Sequence, residues 1–178
     1  MAMTLITTNT SSNAASSSFT SSIDSTYKLY IFKFIDVNPA TDEQYFTFQC
    51  NATDTADYND IAITSTAFRS YHNEADDQAV LTYNANGDQA QGTAFQRLSD
   101  AIGNGGDESL AGTLWLFNPS NTTYVKHFYA TTQIYHSGNM ASLTKTSGYL
   151  NDTTAIDDIQ FKMESGNFDG TIKMYGVG

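Results

Sequence analysis

Three histidines, His72, His127 and His136, have the widest chemical reach near neutral pH of any side chains in this 178-residue chain. General bases and metal ligands need partners at set spacings. No His-x-Glu, His-x-His or His-Glu-x-x-His spacing occurs. His127 alternates with Lys126 and Phe128, and a structural or surface role is expected for all three. No Gly-x-Ser-x-Gly elbow is present. The glycine-rich run 103–106 is followed by Asp107 and Glu108, the wrong charge to cradle a phosphate. Asp54, Asp57 and Asp60 recur every three residues, and Asp76 adjoins Asp77. Such oxygen-rich loops can hold calcium, but no EF-hand pattern is present and no metal site is assigned. Glycosidases need paired carboxylates at a fixed separation, and no other feature points to hydrolysis. No catalytic residue and no cofactor is expected.

Cys50 is the only cysteine, which excludes an intrachain disulfide and, in a monomer, a thiolate zinc site. It ends the apolar run Tyr45-Phe46-Thr47-Phe48-Gln49-Cys50 and reads as a small buried hydrophobe. Eleven tyrosines and Trp115 could supply a platform for stacking sugars. Aromatics of this kind more often fill cores and subunit interfaces, and that reading is preferred.

Charged residues are only 15% of the chain, so Ser, Thr, Asn and Gln must build the polar surface. Those side chains compete with the helix backbone for hydrogen bonds and favour strands and turns. The net charge is −11. It argues against binding nucleic acid, which needs a cationic surface, and against adsorption to anionic lipid. From Asp36 to Glu108 thirteen acids face two bases, Arg69 and Arg97, so this region carries the whole imbalance. It reads as a set of solvated loops, or as a face that repels like-charged neighbours. No base precedes Lys28, no apolar leader core is present, and no stretch is long and apolar enough to span a membrane. Folding in a reducing cytoplasm is therefore expected. Sequons at Asn9, Asn51, Asn121 and Asn151 are read as chance in so Asn- and Thr-rich a chain.

The elements that must position any site are strands. Eight Ser and six Thr fill residues 1–26, whose only charge is Asp24. This segment reads as a disordered tail or as an extended arm. The alternation of Ala15, Ser17 and Phe19 with Ser16, Ser18 and Thr20 suits a strand added to a neighbour's sheet edge. Leu5, Ile6, Phe19 and Ile23 are its expected partner contacts. From Tyr27 to Ile35, Tyr27, Leu29, Ile31 and Ile35 share one face and Tyr30, Phe32 and Phe34 the other. Both faces are apolar, so this strand is expected between layers or at a subunit contact. A loop follows, and residues 43–50 return in what reads as a hairpin. Further strands are expected at 61–68, 79–83, 110–117, 124–135, 142–150, 155–163 and 170–177, the last after a hairpin turn at 167–170. Residues 93–102 carry apolar groups at helical spacing and could form a short capping helix, stopped by the glycines that follow. The expectation is an all-β, jelly-roll-like antiparallel β-sandwich over 23–178, with an N-terminal arm over 1–22.

Several segments carry a resemblance. They are Ile23-Asp-Ser-Thr-Tyr-Lys-Leu-Tyr-Ile-Phe-Lys-Phe34, Asn38-Pro39-Ala40-Thr41-Asp42, Leu116-Phe-Asn-Pro-Ser120, Thr123-Tyr-Val-Lys-His-Phe128 and Ile159-Gln-Phe-Lys-Met163. The last is Ser165-Gly-Asn-Phe-Asp-Gly-Thr-Ile-Lys-Met-Tyr-Gly176. Together they resemble virion structural proteins of tailed bacteriophages, especially marine ones, and the closing Gly-Thr-Ile-Lys-Met-Tyr-Gly run is similar to that group's C-terminal strand. The resemblance implies membership of the virion and transfers no catalytic residue. The expected function is a capsid decoration or cement protein on the outer head surface, assembled in the host cytoplasm. Its expected partners are the major capsid protein, other virion proteins and copies of itself, with a trimer favoured. The alternative is a tail or fibre module that binds host-surface glycan.

Overall fold

A computed structural model describes residues 2–53 and 57–178. No helix occurs among them, and the chain is an antiparallel β-sandwich. Its strands are β1 (Met3–Ala14), β2 (Ser17–Phe19), β3 (Leu29–Pro39), β4 (Phe46–Ala52), β5 (Ile63–Asn73), β6 (Ala79–Tyr83), β7 (Ala90–Gly92), β8 (Gln96–Arg97), β9 (Leu110–Phe117), β10 (Lys126–His136), β11 (Met140–Leu150), β12 (Ile156–Met163) and β13 (Phe168–Val177). A wide sheet of nine strands runs β1-β13-β3-β9-β10-β11-β5-β6, with β7 also on β5. A narrow sheet runs β2-β12-β4-β8.

Much of the chain is one long hairpin wound around the core. β3 pairs with β13 in the wide sheet, β4 with β12 in the narrow one, and β5 with β11 back in the wide one. This winding is compatible with a jelly roll. The tip hairpin, β9 with β10, inserts into the wide sheet between β3 and β11, and the two sheets become unequal.

The core lies where the narrow sheet faces the wide one. Tyr30, Phe32 and Phe34 of β3 point inward, as the period-2 pattern requires, against Phe46 and Phe48 of β4 and Phe161 of β12. Phe161 is fully buried and its ring lies within 5.2–6.4 Å of those of Phe19, Phe32, Phe34, Phe46 and Phe48. Cys50 is buried beside them, and desolvation pushes its thiol far up, so it stays protonated. At one end Lys126 is buried and donates to the carbonyls of Asp152 and Thr154, at 3.1 and 2.5 Å, which ties down the turn before β12. Burial lowers its pKa.

Several sequence expectations are corrected. Residues 29–52 do not form a hairpin, because β3 and β4 belong to opposite sheets. The hairpin turn expected at 167–170 is not one either: the chain crosses from the narrow sheet to the wide one at 164–167, and residues 168–170 already belong to β13. Period-2 patterning fixes which face of a strand is buried, and that constraint is equally met by a neighbour in the same sheet and by a partner across the core. Residues 93–102 contain β8 and irregular chain, with no helix. Leu98 and Ile102 enter the core, while Phe95 lies outside against Tyr58 and under the Lys162 ammonium. The apolar groups of that segment therefore do not share a face.

The N-terminal arm lies on the chain's own sheets. β1 pairs antiparallel with β13 from Met3↔Val177 to Ala14↔Phe168, and β2 pairs with β12. Phe19 and Ile23, expected as partner contacts, are each 3% exposed in the chain's own core, where Phe19 covers the Phe32 and Phe161 rings. Ile6 is half-buried against the core, and Leu5 remains exposed. Gly176 leaves room for the Tyr27 ring, since a Cβ there would lie 2.3 Å from it.

Phe161→Ala should lower the unfolding free energy by about 3–5 kcal/mol, read from urea denaturation. A loss below about 1 kcal/mol would show that the aromatic cluster does not hold the sheets together. Cys50 should resist a thiol reagent in the native protein and react at once in denaturant; rapid native labelling would contradict its burial.

Candidate interaction surface

The narrow sheet packs on one face of the wide sheet only, so the strands β13, β3, β9, β10, β11 and β5 present a second face outward. The residues there follow from register. One row runs Leu5↔Tyr175↔Ile31↔Trp115↔Tyr129↔Ser147↔Thr66. The row beside it runs Thr8↔Lys173↔Lys33↔Thr113↔Thr131↔Lys145↔Phe68↔Tyr83. Neither row contains a carboxylate.

The first row is aromatic at its middle. Trp115 and Tyr129 stack across strands with centroids 4.4 Å apart and planes 19° apart, and Phe117 stacks on Tyr129 at 5.7 Å. Lys33 places its ammonium 5.8 Å from the Trp115 centroid and donates to Thr113 Oγ1 at 3.0 Å. With one face against Tyr129 and a lysine over the ring, Trp115 offers little open ring surface to a sugar. Ile31 is buried in this row, whereas Tyr129 is exposed.

The second row is cationic. Lys33 and Lys173 lie directly opposite each other, an arrangement that costs stability on its own. Among the described residues the ion pairs are Arg69–Asp100, Arg97–Glu164 and His72–Asp76, so Lys33, Lys145 and Lys173 meet no carboxylate. A chain of net charge −11 thus keeps a carboxylate-free, lysine-bearing strip on its broadest face.

Two grooves cross this face. One, of about 430 Å³, forms where small Thr64, Thr66 and Ser147 lie beside large Phe117, Tyr129 and Tyr149, with His127 at its side. The other, of about 500 Å³, lies near the opposite strand ends, between His72, Gln133, Tyr135 and Met140. There the Tyr135 hydroxyl bonds Glu74 at 3.2 Å and His72 Nε2 bonds Asp76 at 3.0 Å, both pairs open to solvent. His136 Nδ1 accepts from the Gly138 amide. The histidines thus lie apart, and among the described residues no three His, Cys, Asp or Glu side chains group as metal ligands. Of the aspartates singled out for calcium, Asp54 lies outside the described residues, Asp57 and Asp60 flank an exposed turn, and Asp76 and Asp77 serve the loop before β6.

Beyond β11 the wide sheet ends in the β5–β6 hairpin, where Phe68, Leu81 and Tyr83 are exposed on the same outer face. The hairpin is anchored from beneath by Arg69, whose guanidinium meets buried Asp100 at 2.5 Å.

Sequence reasoning placed the partner contacts on the N-terminal arm. The uncovered face lies mainly on β3, β9, β10 and β11. Its signal was present in the double-sided apolar pattern of residues 27–35, of which the core takes Tyr30, Phe32 and Phe34 and packs against Tyr27, leaving Ile31 outward.

A double-mutant cycle on Trp115→Ala and Tyr129→Ala should give a coupling of about 0.5–1.5 kcal/mol in stability, and a coupling near zero would mean that the stack is not formed in solution.

No family model and no curated protein matches the chain. One solved structure similar in part is a protein of unknown function from Bacteroides ovatus, 5% identical, with a TM-score of 0.30 over 58% of this chain. The match covers 45% of that protein.

Proposed function

We propose that this chain is a virion structural protein of a tailed bacteriophage, a decoration subunit that lies on the outer head surface and docks on the major capsid protein. The observation that carries the reading is the outer face of the wide sheet, with its stacked aromatics, its lysine strip without counter-ions and its apolar hairpin. A face of that size with buried Ile31 and exposed Tyr129, Leu81 and Tyr83 suits a protein partner. The unpaired Lys33, Lys145 and Lys173 suit one that brings carboxylates. The resemblance of the strand sequences to phage virion proteins supports the same direction, and the role assigns no catalytic residue. The groove between Phe117, Tyr129 and Tyr149 supports a second reading, a tail or fibre module for host-surface glycan.

Immunogold labelling of intact particles with antibody to the chain separates the readings. Gold over the head is expected. Gold confined to the tail would favour the glycan module, and absence of label from particles that stain for other virion proteins would remove both. On heads, Lys33→Glu with Lys173→Glu should reduce binding at least about tenfold, as expected when interface charges are reversed. Unchanged binding would mean that another surface docks. Removal of residues 1–22 is a poor probe, since it takes Phe19 from the core.

A further inference from the structure

The wide sheet ends on one side at β6, a strand with every residue exposed. Natural edge strands are commonly protected by a lysine, a proline or a bulge. Ala79-Val-Leu-Thr-Tyr83 has no charge and no proline, and its register with β5 is unbroken from Phe68↔Tyr83 to His72↔Ala79. The other edge, β1, is interrupted twice by irregularities against β13.

The direction of the free backbone groups is fixed by the bonds already made. The Asn84 amide donates to Ala67 and the Gln78 carbonyl accepts from Asn73. In a regular antiparallel strand these groups alternate in direction. The even-numbered residues therefore use their N–H and C=O on β5, and those of Ala79, Leu81 and Tyr83 point away from the sheet. Among the described residues the Tyr83 carbonyl accepts only from the hydroxyl of Thr82.

We propose that β6 pairs antiparallel with β6 of a second copy of this chain, about a two-fold axis at Leu81. This register sets Leu81 against itself, Ala79 against Tyr83 of the other copy and Val80 against Thr82. Large faces small at the ends, two β-branched residues meet between, and the most exposed apolar side chain, Leu81 at 73%, meets its own equivalent. The odd-numbered residues are the ones with free groups, so each such pair exchanges two N–H···O=C bonds. The outer faces carrying Phe68, Leu81 and Tyr83 become continuous across the axis. A second copy is the fitting occupant because the pattern is self-complementary about its own centre, and because residues 79–83 carry no charge to repel their own copy in a chain of net charge −11. The pairing does not depend on what the rest of the outer face binds.

The full chain should sediment as a monomer–dimer equilibrium, and Leu81→Lys should be monomeric with an unchanged thermal melt, since the residue makes no core contact. Leu81→Cys gives the sharper readout. A hydrogen-bonded pair brings Cα atoms to about 5.5 Å, within disulfide reach, so oxidation should link this variant about tenfold faster than Ala79→Cys, whose counterpart is Tyr83. Cys50 is buried and stays silent. A monomer at all concentrations, a dimer that survives Leu81→Lys, or equal cross-linking at both positions would each overturn the pairing. So would a trimer indifferent to these changes.

Discussion

Phe161 lies parallel to Phe46 at 5.9 Å and meets Phe19, Phe32 and Phe34 at steep angles, so five rings from four strands and both sheets share one contact region. Each fully buried phenylalanine contributes about 1.5–3 kcal/mol, and each favourable ring pair about 0.5–1.5 kcal/mol more. The rings sit where β12 and β4 cross the β13-β3 side of the wide sheet. That position decides the shape of the molecule. The narrow sheet is centred on the rings, and the strands beyond them are left to be covered by other means.

On the β10-β11-β5 side the interior changes character. Thr132, Ser142, Thr144 and Thr146 point inward, and beyond the two-residue strand β8 irregular chain at 98–100 takes the place of further narrow-sheet strand. Thr132 donates to the Leu98 carbonyl, Gln96 donates to Gly87 and accepts from Ser65, and Asp100 holds Arg69. Thr132 gives the Leu98 carbonyl of this irregular chain a side-chain partner that an apolar surface could not supply, whereas the Thr144 and Thr146 hydroxyls are buried with no partner among the described residues. The irregular path explains the helical spacing in residues 93–102. Leu98, Ala101 and Ile102 are inward turns of an extended segment, spaced by its bends.

Strand positions were legible in the sequence because alternation in runs such as Lys126–His136 survives into the structure. The two-sided apolar pattern of residues 27–35 was also legible, with Tyr30, Phe32 and Phe34 inward and Ile31 outward. Sheet membership was not. Nothing in β3 or β4 alone encodes that they face each other across a core, because that depends on β12 and β13, more than a hundred residues away in the chain. The same distance hid the place of residues 3–14, whose Ser and Thr side chains fit an edge strand as well as a free arm. The outer face offered as a candidate interaction surface was only half legible, for its aromatic residues were visible but their alignment depends on cross-strand register.

The position of β13 between β1 and β3 sets the order in which the chain can be completed on the ribosome. β1 emerges before β2 to β13 and has no edge to join in this sheet until residues 168–177 are made. β4 similarly waits for β12. Until β12 and β13 are made, the phenylalanines of β3 and β4 can meet only one another across the core, without Phe161 and Phe168, and the uncharged N-terminal segment remains unpaired. Closure is a late event built from contacts between distant parts of the chain, which makes it slow. The scarcity of large apolar residues in residues 7–18 is then useful before the fold exists, since a strand that must wait is safest when it is rich in Ser and Thr.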